Sequence, residues 1–247
     1  MLTQTAHRPW PVPQKPWVMA MRWHDLLFMH WPIQREAIRQ YIPPQLSIDT
    51  FDGTAWVGVV PFRMSGVHPR LIPPLPGISA FPEINVRTYV TIEGKPGVWF
   101  MSLDAGNPIA VEAARDVFHL PYYNAQMTCE LVVGRDIQYA SLRTHQSAAP
   151  ATFRGQYRPT GSVYHSKPGT LENWLTERYC LYAANRKGHL WRSEIHHAPW
   201  PLQPAEAHVK RNTMTEQIKL SLPDTQPLLH FARFLEVVAW WPQRIHS

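Results

Sequence analysis

Twenty-five prolines spread over 247 residues exclude long, uninterrupted helices. Each ring removes a backbone donor and clashes with the preceding helical turn. Proline is therefore confined to turns, sheet edges and the first turn of a helix. Between the prolines lie short apolar runs rich in aromatic and β-branched residues. LSIDTF and TAWVGVVPF flank Asp52-Gly53, EINVRTYVTIE and GVWFMSLD flank residues 94–97, and ERYCLYAA and GHLWRSEIHHAPW flank residues 185–188. Each pair reads as a hairpin. MTCELVVG, DIQYASLRTH, residues 153–166 and the tail LLHFARFLEVVAWWP add further strands. Helical signals are few. Residues 34–41 are stopped by Pro43-Pro44, and 171–176 is short. Residues 108–118 begin well, with Asn107 as cap and Pro108 in the first position, and Pro121 bars continuation. This pattern predicts a mainly β (α+β) domain, a largely antiparallel sheet curling into a barrel with a few short helices.

The same punctuation organises the chain. Residues 1–16 read as a proline-rich arm, and 17–247 as a single domain. Residues 64–81 hold Pro69, Pro73, Pro74, Pro76, Gly66 and Gly77, and read as a long loop of the kind that covers a site.

Lys and Arg outnumber Asp and Glu by 24 to 18, yet no basic run exists. A nucleic-acid partner is not expected. Cys129 and Cys180 form no metal-binding pattern. The N-terminus has no apolar signal segment, and Arg22, His24 and Asp25 break the most apolar early stretch. No membrane partner is expected, and the expected location is cytoplasmic.

Glu83, Asn85, Arg87 and Tyr89 alternate with Ile84, Val86, Thr88 and Val90. In a strand the four polar side chains share one face. That face is either solvated or lines a polar cavity, and spacing alone leaves both readings open. His196 and His197 are adjacent, so on a strand they point apart. No metal site is expected.

Phe118-His-Leu-Pro-Tyr122-Tyr123, together with FPEINVRTYV (81–90) and GVWFMSLDAGNPIAVEAARDVFHLPYY (97–123), resembles the DUF2071 (YqjF-like) family, a branch of the acetoacetate decarboxylase superfamily. The resemblance implies a β-rich, barrel-like cone with an internal cavity. In the decarboxylases the aromatic-x-x-Pro run is followed by two lysines, one of which forms a Schiff base with the substrate. Here Tyr122 and Tyr123 follow Pro121, and a phenol cannot form an imine. The resemblance also matches Glu83 to a functional glutamate of the decarboxylases. It therefore suggests Glu83, Tyr122 and Tyr123 as catalytic candidates. If the polar row faces a cavity, Asn85 and Arg87 are binding candidates, and His119, four residues after Arg115 on the helix leading into the tyrosines, is another. Period two allows only one of the tyrosines to face a cavity. Two functions fit: an enzyme acting on a small oxo- or carboxylate-bearing molecule, or a binding protein that kept the cavity and lost the chemistry. Either takes a small-molecule ligand and no cofactor, and self-association into a homo-oligomer stays open.

Overall fold

The computed structural model describes residues 2, 4–132, 134 and 136–245. Its strands are β1 (Met19–Ile33), β2 (Ser47–Ile48), β3 (Ala55–Pro69), β4 (Phe81–Ile92), β5 (Lys95–Ala105), β6 (Tyr122–Leu131) and β7 (Ile137–Arg143). They continue with β8 (Thr152–Pro159), β9 (Cys180–Ala184), β10 (Leu190–His196), β11 (Leu202–Asn212), β12 (Leu228–Ala239) and β13 (Gln243–Arg244). Helices α1 (Arg35–Arg39), α2 (Pro108–Val117) and α3 (Leu171–Thr176) interrupt them. Among the described residues no helix is long and apolar enough to cross a membrane.

Nine strands close into a mixed barrel, in the order β5-β6-β7-β8-β11-β12-β1-β3-β4 and back to β5. Most pairings are antiparallel. The exceptions meet at β5, whose outer edge is divided between two parallel partners. Val98 and Trp99 pair with β9, and Leu103–Ala105 pair with β6. Strand β12 is divided in the same way, between β11 and β10. Hence β9 and β10 form a second bridge between β5 and β12, and the wall β5-β4-β3-β1-β12 is covered on both sides.

Two-sided cover accounts for the unbroken apolar runs in this wall. Leu27, Met29, Val59 and Val86 enter one core with Tyr139, Phe153 and Tyr157. Leu26, Phe28, Val60 and Phe62 enter the other with Ile195 and Trp200. The N-terminal arm lies along β10. Buried Arg8 donates to the Ile195 carbonyl at 2.6 Å and to Glu194 at 3.1 Å, and the Trp10 indole donates to Glu194 at 2.7 Å.

Several local expectations change. Strand β3 runs on to Pro69, so the loop before β4 is 70–80 rather than 64–81. Gly66, at φ +60, sits in a bulge against β1 that absorbs the irregularity without ending the strand. The Asp52-Gly53 turn forms, but β2 pairs with β4 rather than with β3. In the β4–β5 hairpin Ile92 faces Lys95, so the two-residue turn is Glu93-Gly94, both at positive φ, and Lys95 begins the next strand.

Gly97 stands where β5 meets β9. A Cβ there would lie 2.6 Å from Cys180 Sγ and 2.7 Å from its carbonyl oxygen. Gly97→Ala should therefore destabilise the protein by about 1–3 kcal/mol in equilibrium denaturation. Unchanged stability would show that the β5–β9 contact is looser than described.

Candidate functional site

Strand β4 sends Glu83, Asn85 and Arg87 into the second core, on the side of Phe28 and Phe62. The face is not solvated. Glu83 and Asn85 are 3% and 2% exposed, and Tyr89 is fully buried. The row lines a cavity of about 450 Å³, within the range of about 300–1,000 Å³ typical of small-molecule pockets. Loop 70–80 roofs it with Ile72, Leu75 and Ile78, α2 forms one side, and Ile195, His197 and Trp200 form another.

The helix stop delivers the facing tyrosine. Asn107 caps α2 by accepting from the amides of Ile109 and Ala110 at 3.0 and 3.1 Å. The helix ends at Val117, and His119 follows at φ +56. The chain then enters β6 in parallel with β5. The Tyr122 hydroxyl donates to Glu83 Oε2 at 2.7 Å. Tyr123, one residue on, faces the other way. It lies under the Arg143 guanidinium, 4.1 Å from its ring centre, and Arg143 in turn forms a buried ion pair with Asp104.

Burial governs the protonation of the row. Desolvation pushes the Glu83 carboxyl from its ordinary value of 4.5 up to about 7, against the hydrogen bonds from Tyr122 and Asn85 and the charge of Arg87. Tyr122 is driven well above its usual range by burial and by the neighbouring Glu83. Burial also lowers Arg87, which remains a cation. Its Nε donates to Asn85 Oδ1 at 2.9 Å, and the guanidinium lies 5.5 Å from the Phe28 ring centre. Among the described residues no carboxylate forms an ion pair with Arg87. Gly58 makes its placement possible, because a Cβ there would stand 3.0 Å from the His30 ring and 3.2 Å from Arg87 Cγ.

The structure thus brings Glu83, Asn85, Arg87 and Tyr122 together and leaves out two candidates. Tyr123 lies behind the sheet. His119 lies past the helix end, on a separate recess of about 270 Å³ with Tyr41, Trp99 and Tyr182. Sequence reasoning did not place Arg178 in the site. Arg178 does pair with Asp49 at 2.6 Å, but it also lines the cavity. Its guanidinium covers Tyr89 at 4.7 Å, and its Nη2 has no hydrogen-bond partner among the described residues. Trp23 and Trp200 also line the cavity, and their indole N–H groups are buried without a hydrogen-bond partner among the described residues. An arginine directly before the apolar run YCLYAA was the available signal.

The cavity therefore offers a carboxyl able to take or give a proton near neutrality and a cation that, among the described residues, has no carboxylate partner. No lysine is among its described lining residues. No cluster of three or more potential metal ligands occurs among the described residues.

A sequence model described as DUF2071, an uncharacterised conserved protein, matches residues 20–236. The chain is 43% identical over 233 residues to the uncharacterised protein YqjF of Bacillus subtilis, a match that covers 94% of each. The fold resembles that of the enduracididine biosynthesis enzyme MppR, solved with the condensation product of pyruvate and imidazole 4-carboxaldehyde. That likeness has a TM-score of 0.65 and 10% identity over 93% of this chain and 90% of that one. It also resembles an acetoacetate decarboxylase from Legionella pneumophila, with a TM-score of 0.61 and 12% identity over 98% and 93% of the two chains. At these identities the structural likeness establishes the fold alone.

The raised carboxyl sets a direction for stability against pH. Protonated Glu83 fits its buried site, so its contribution is fully present below pH 4.5. It is lost as pH rises to about 7, where folded Glu83 ionises too. The full swing is roughly 3 kcal/mol. In denaturant titrations at stepped pH, Glu83→Gln should remove that decline, so the variant gains on the wild type between these limits. Parallel profiles for the two proteins would contradict the assignment.

Proposed function

This chain belongs to the DUF2071 family, and we propose that it binds a small oxo- or carboxylate-bearing molecule in the β4 cavity and moves a proton on it through Glu83, without an imine. The observation that carries this reading is the 2.7 Å hydrogen bond from Tyr122 to a Glu83 carboxyl desolvated to about 7, beside an Arg87 that has no carboxylate partner among the described residues. Arg87 grips the ligand's carboxylate with paired N–H donors. Glu83, in its ionised form, accepts a proton from the carbon next to the oxo group. The C–H electrons move onto the oxo oxygen as an enolate, and the proton returns from Glu83. Tyr122 steadies the ionised carboxyl. The fold supports the ligand class, since MppR has also been solved with pyruvate, an oxo-acid.

Binding without turnover is the second reading. Tyr122 and Tyr123 favour it, because they stand where the resemblance places the decarboxylase lysines and leave no amine nucleophile among the described lining residues.

Deuterium exchange separates the two. With pyruvate or acetoacetate in D2O, the enzyme reading expects label at the carbon next to the oxo group, with Glu83→Gln slowing exchange by about 10²–10⁴-fold. Saturable binding with exchange no faster than buffer would leave the binding reading alone. Borohydride treatment with acetoacetate should add no mass to any lysine. A stable adduct would overturn the imine-free chemistry.

A further inference from the structure

We infer that the ligand is an amphiphilic acid, with a carboxylate or oxo-acid head on Arg87 and Glu83 and an apolar acyl or aromatic body filling the outer cavity. This rests on the reading of the β4 row given above.

Size points the same way as chemistry. At about 30 Å³ per water, a cavity of about 450 Å³ equals roughly fifteen water volumes. A short oxo-acid bound at the polar row would leave most of that space unfilled. The polar groups able to hold a ligand follow one line. Tyr122 touches Glu83, Asn85 holds Arg87, and Arg178 stacks on Tyr89 of the same strand. Several other polar lining groups are already engaged. The Thr176 hydroxyl donates to the Glu172 carbonyl, one ring nitrogen of His68 lies 2.7 Å from the Gly66 carbonyl, and both ring nitrogens of His197 contact carbonyls. Away from β4 the wall is apolar, with Met19 and Met21 of β1 and Met64 of β3 supplying adaptable thioethers.

The mouth is apolar as well. Ile72 and Leu75 of the roof loop are 49% and 48% exposed, Ile109 of α2 is 64% exposed, and Trp241 is 60% exposed. All four line the cavity. An exposed apolar rim continuous with an apolar chamber marks a contact site for an apolar group. A short polar acid would leave it wetted, whereas an acyl body covers it. Charge at the base and an open greasy mouth fix the orientation, head inward and tail outward.

The test is calorimetric titration of butanoate, octanoate and dodecanoate, below their micellar concentrations, and of the matching 1-alkanols. Affinity should rise about fourfold per methylene and level off as the chamber fills. Arg87→Gln should weaken the carboxylates at least tenfold at every length and leave the alkanols unchanged, and Ile72→Ser should weaken only dodecanoate. Butanoate binding as tightly as dodecanoate, with Arg87→Gln still harmful, overturns the amphiphile and spares the site. If Arg87→Gln changes nothing for any acid, the site and the inference fall together. Chain-length-independent binding by a protein that Ile109→Asp converts from dimer to monomer assigns the rim to a second copy, and also overturns the inference.

Discussion

Strand β4 carries apolar side chains to one core and polar ones to the other, and both faces are shut off from water. Its polar face is buried because β9 and β10 bridge β5 to β12 on that side of the wall. Neither of those strands is near β4 in sequence. Once the cover is in place, water no longer sets the properties of Glu83 and Arg87. A carboxyl in such a site gives up its charge until near-neutral pH, while an arginine keeps its own. Packing thus creates a proton donor or acceptor beside a fixed cation, and the site's chemistry follows from the topology.

The local grammar of the chain was legible. Asn107 and Pro108 start α2, and Pro121 bars its continuation. Asn185–Gly188 turns the β9–β10 hairpin. The alternation in FPEINVRTY put Glu83, Asn85 and Arg87 on one face, and the structure does the same. Period two also separated Tyr122 from Tyr123, although it could not say which would face inward. That choice depends on the phase with which β6 meets β5, Tyr122 against Leu103.

What was not legible depends on distant partners. An alternating strand looks the same whether its polar face meets water or a chamber, so burial of the row could not be read from β4. The parallel pairings at β5 join residues 98–105 to 122–124 and to 181–182, contacts without a turn signature. Arg178 gave no sign of its place because Asp49, its ion-pair partner, lies 129 residues away, and its position on the cavity wall follows from the sheet. His119 was grouped with the cavity as a binding candidate. The backbone turns left-handed there and sends it to another recess.

The central claim is that Glu83 is a desolvated carboxyl held by Tyr122. Carbon-13 labelling of the glutamate side chains, with Glu83→Gln to assign its resonance, measures this directly. The account predicts a Glu83 carboxyl that titrates near 7, and higher still in Tyr122→Phe, where the hydrogen bond favouring the ionised form is gone. A midpoint in the ordinary glutamate range near 4.5, unmoved by Tyr122→Phe, would contradict it.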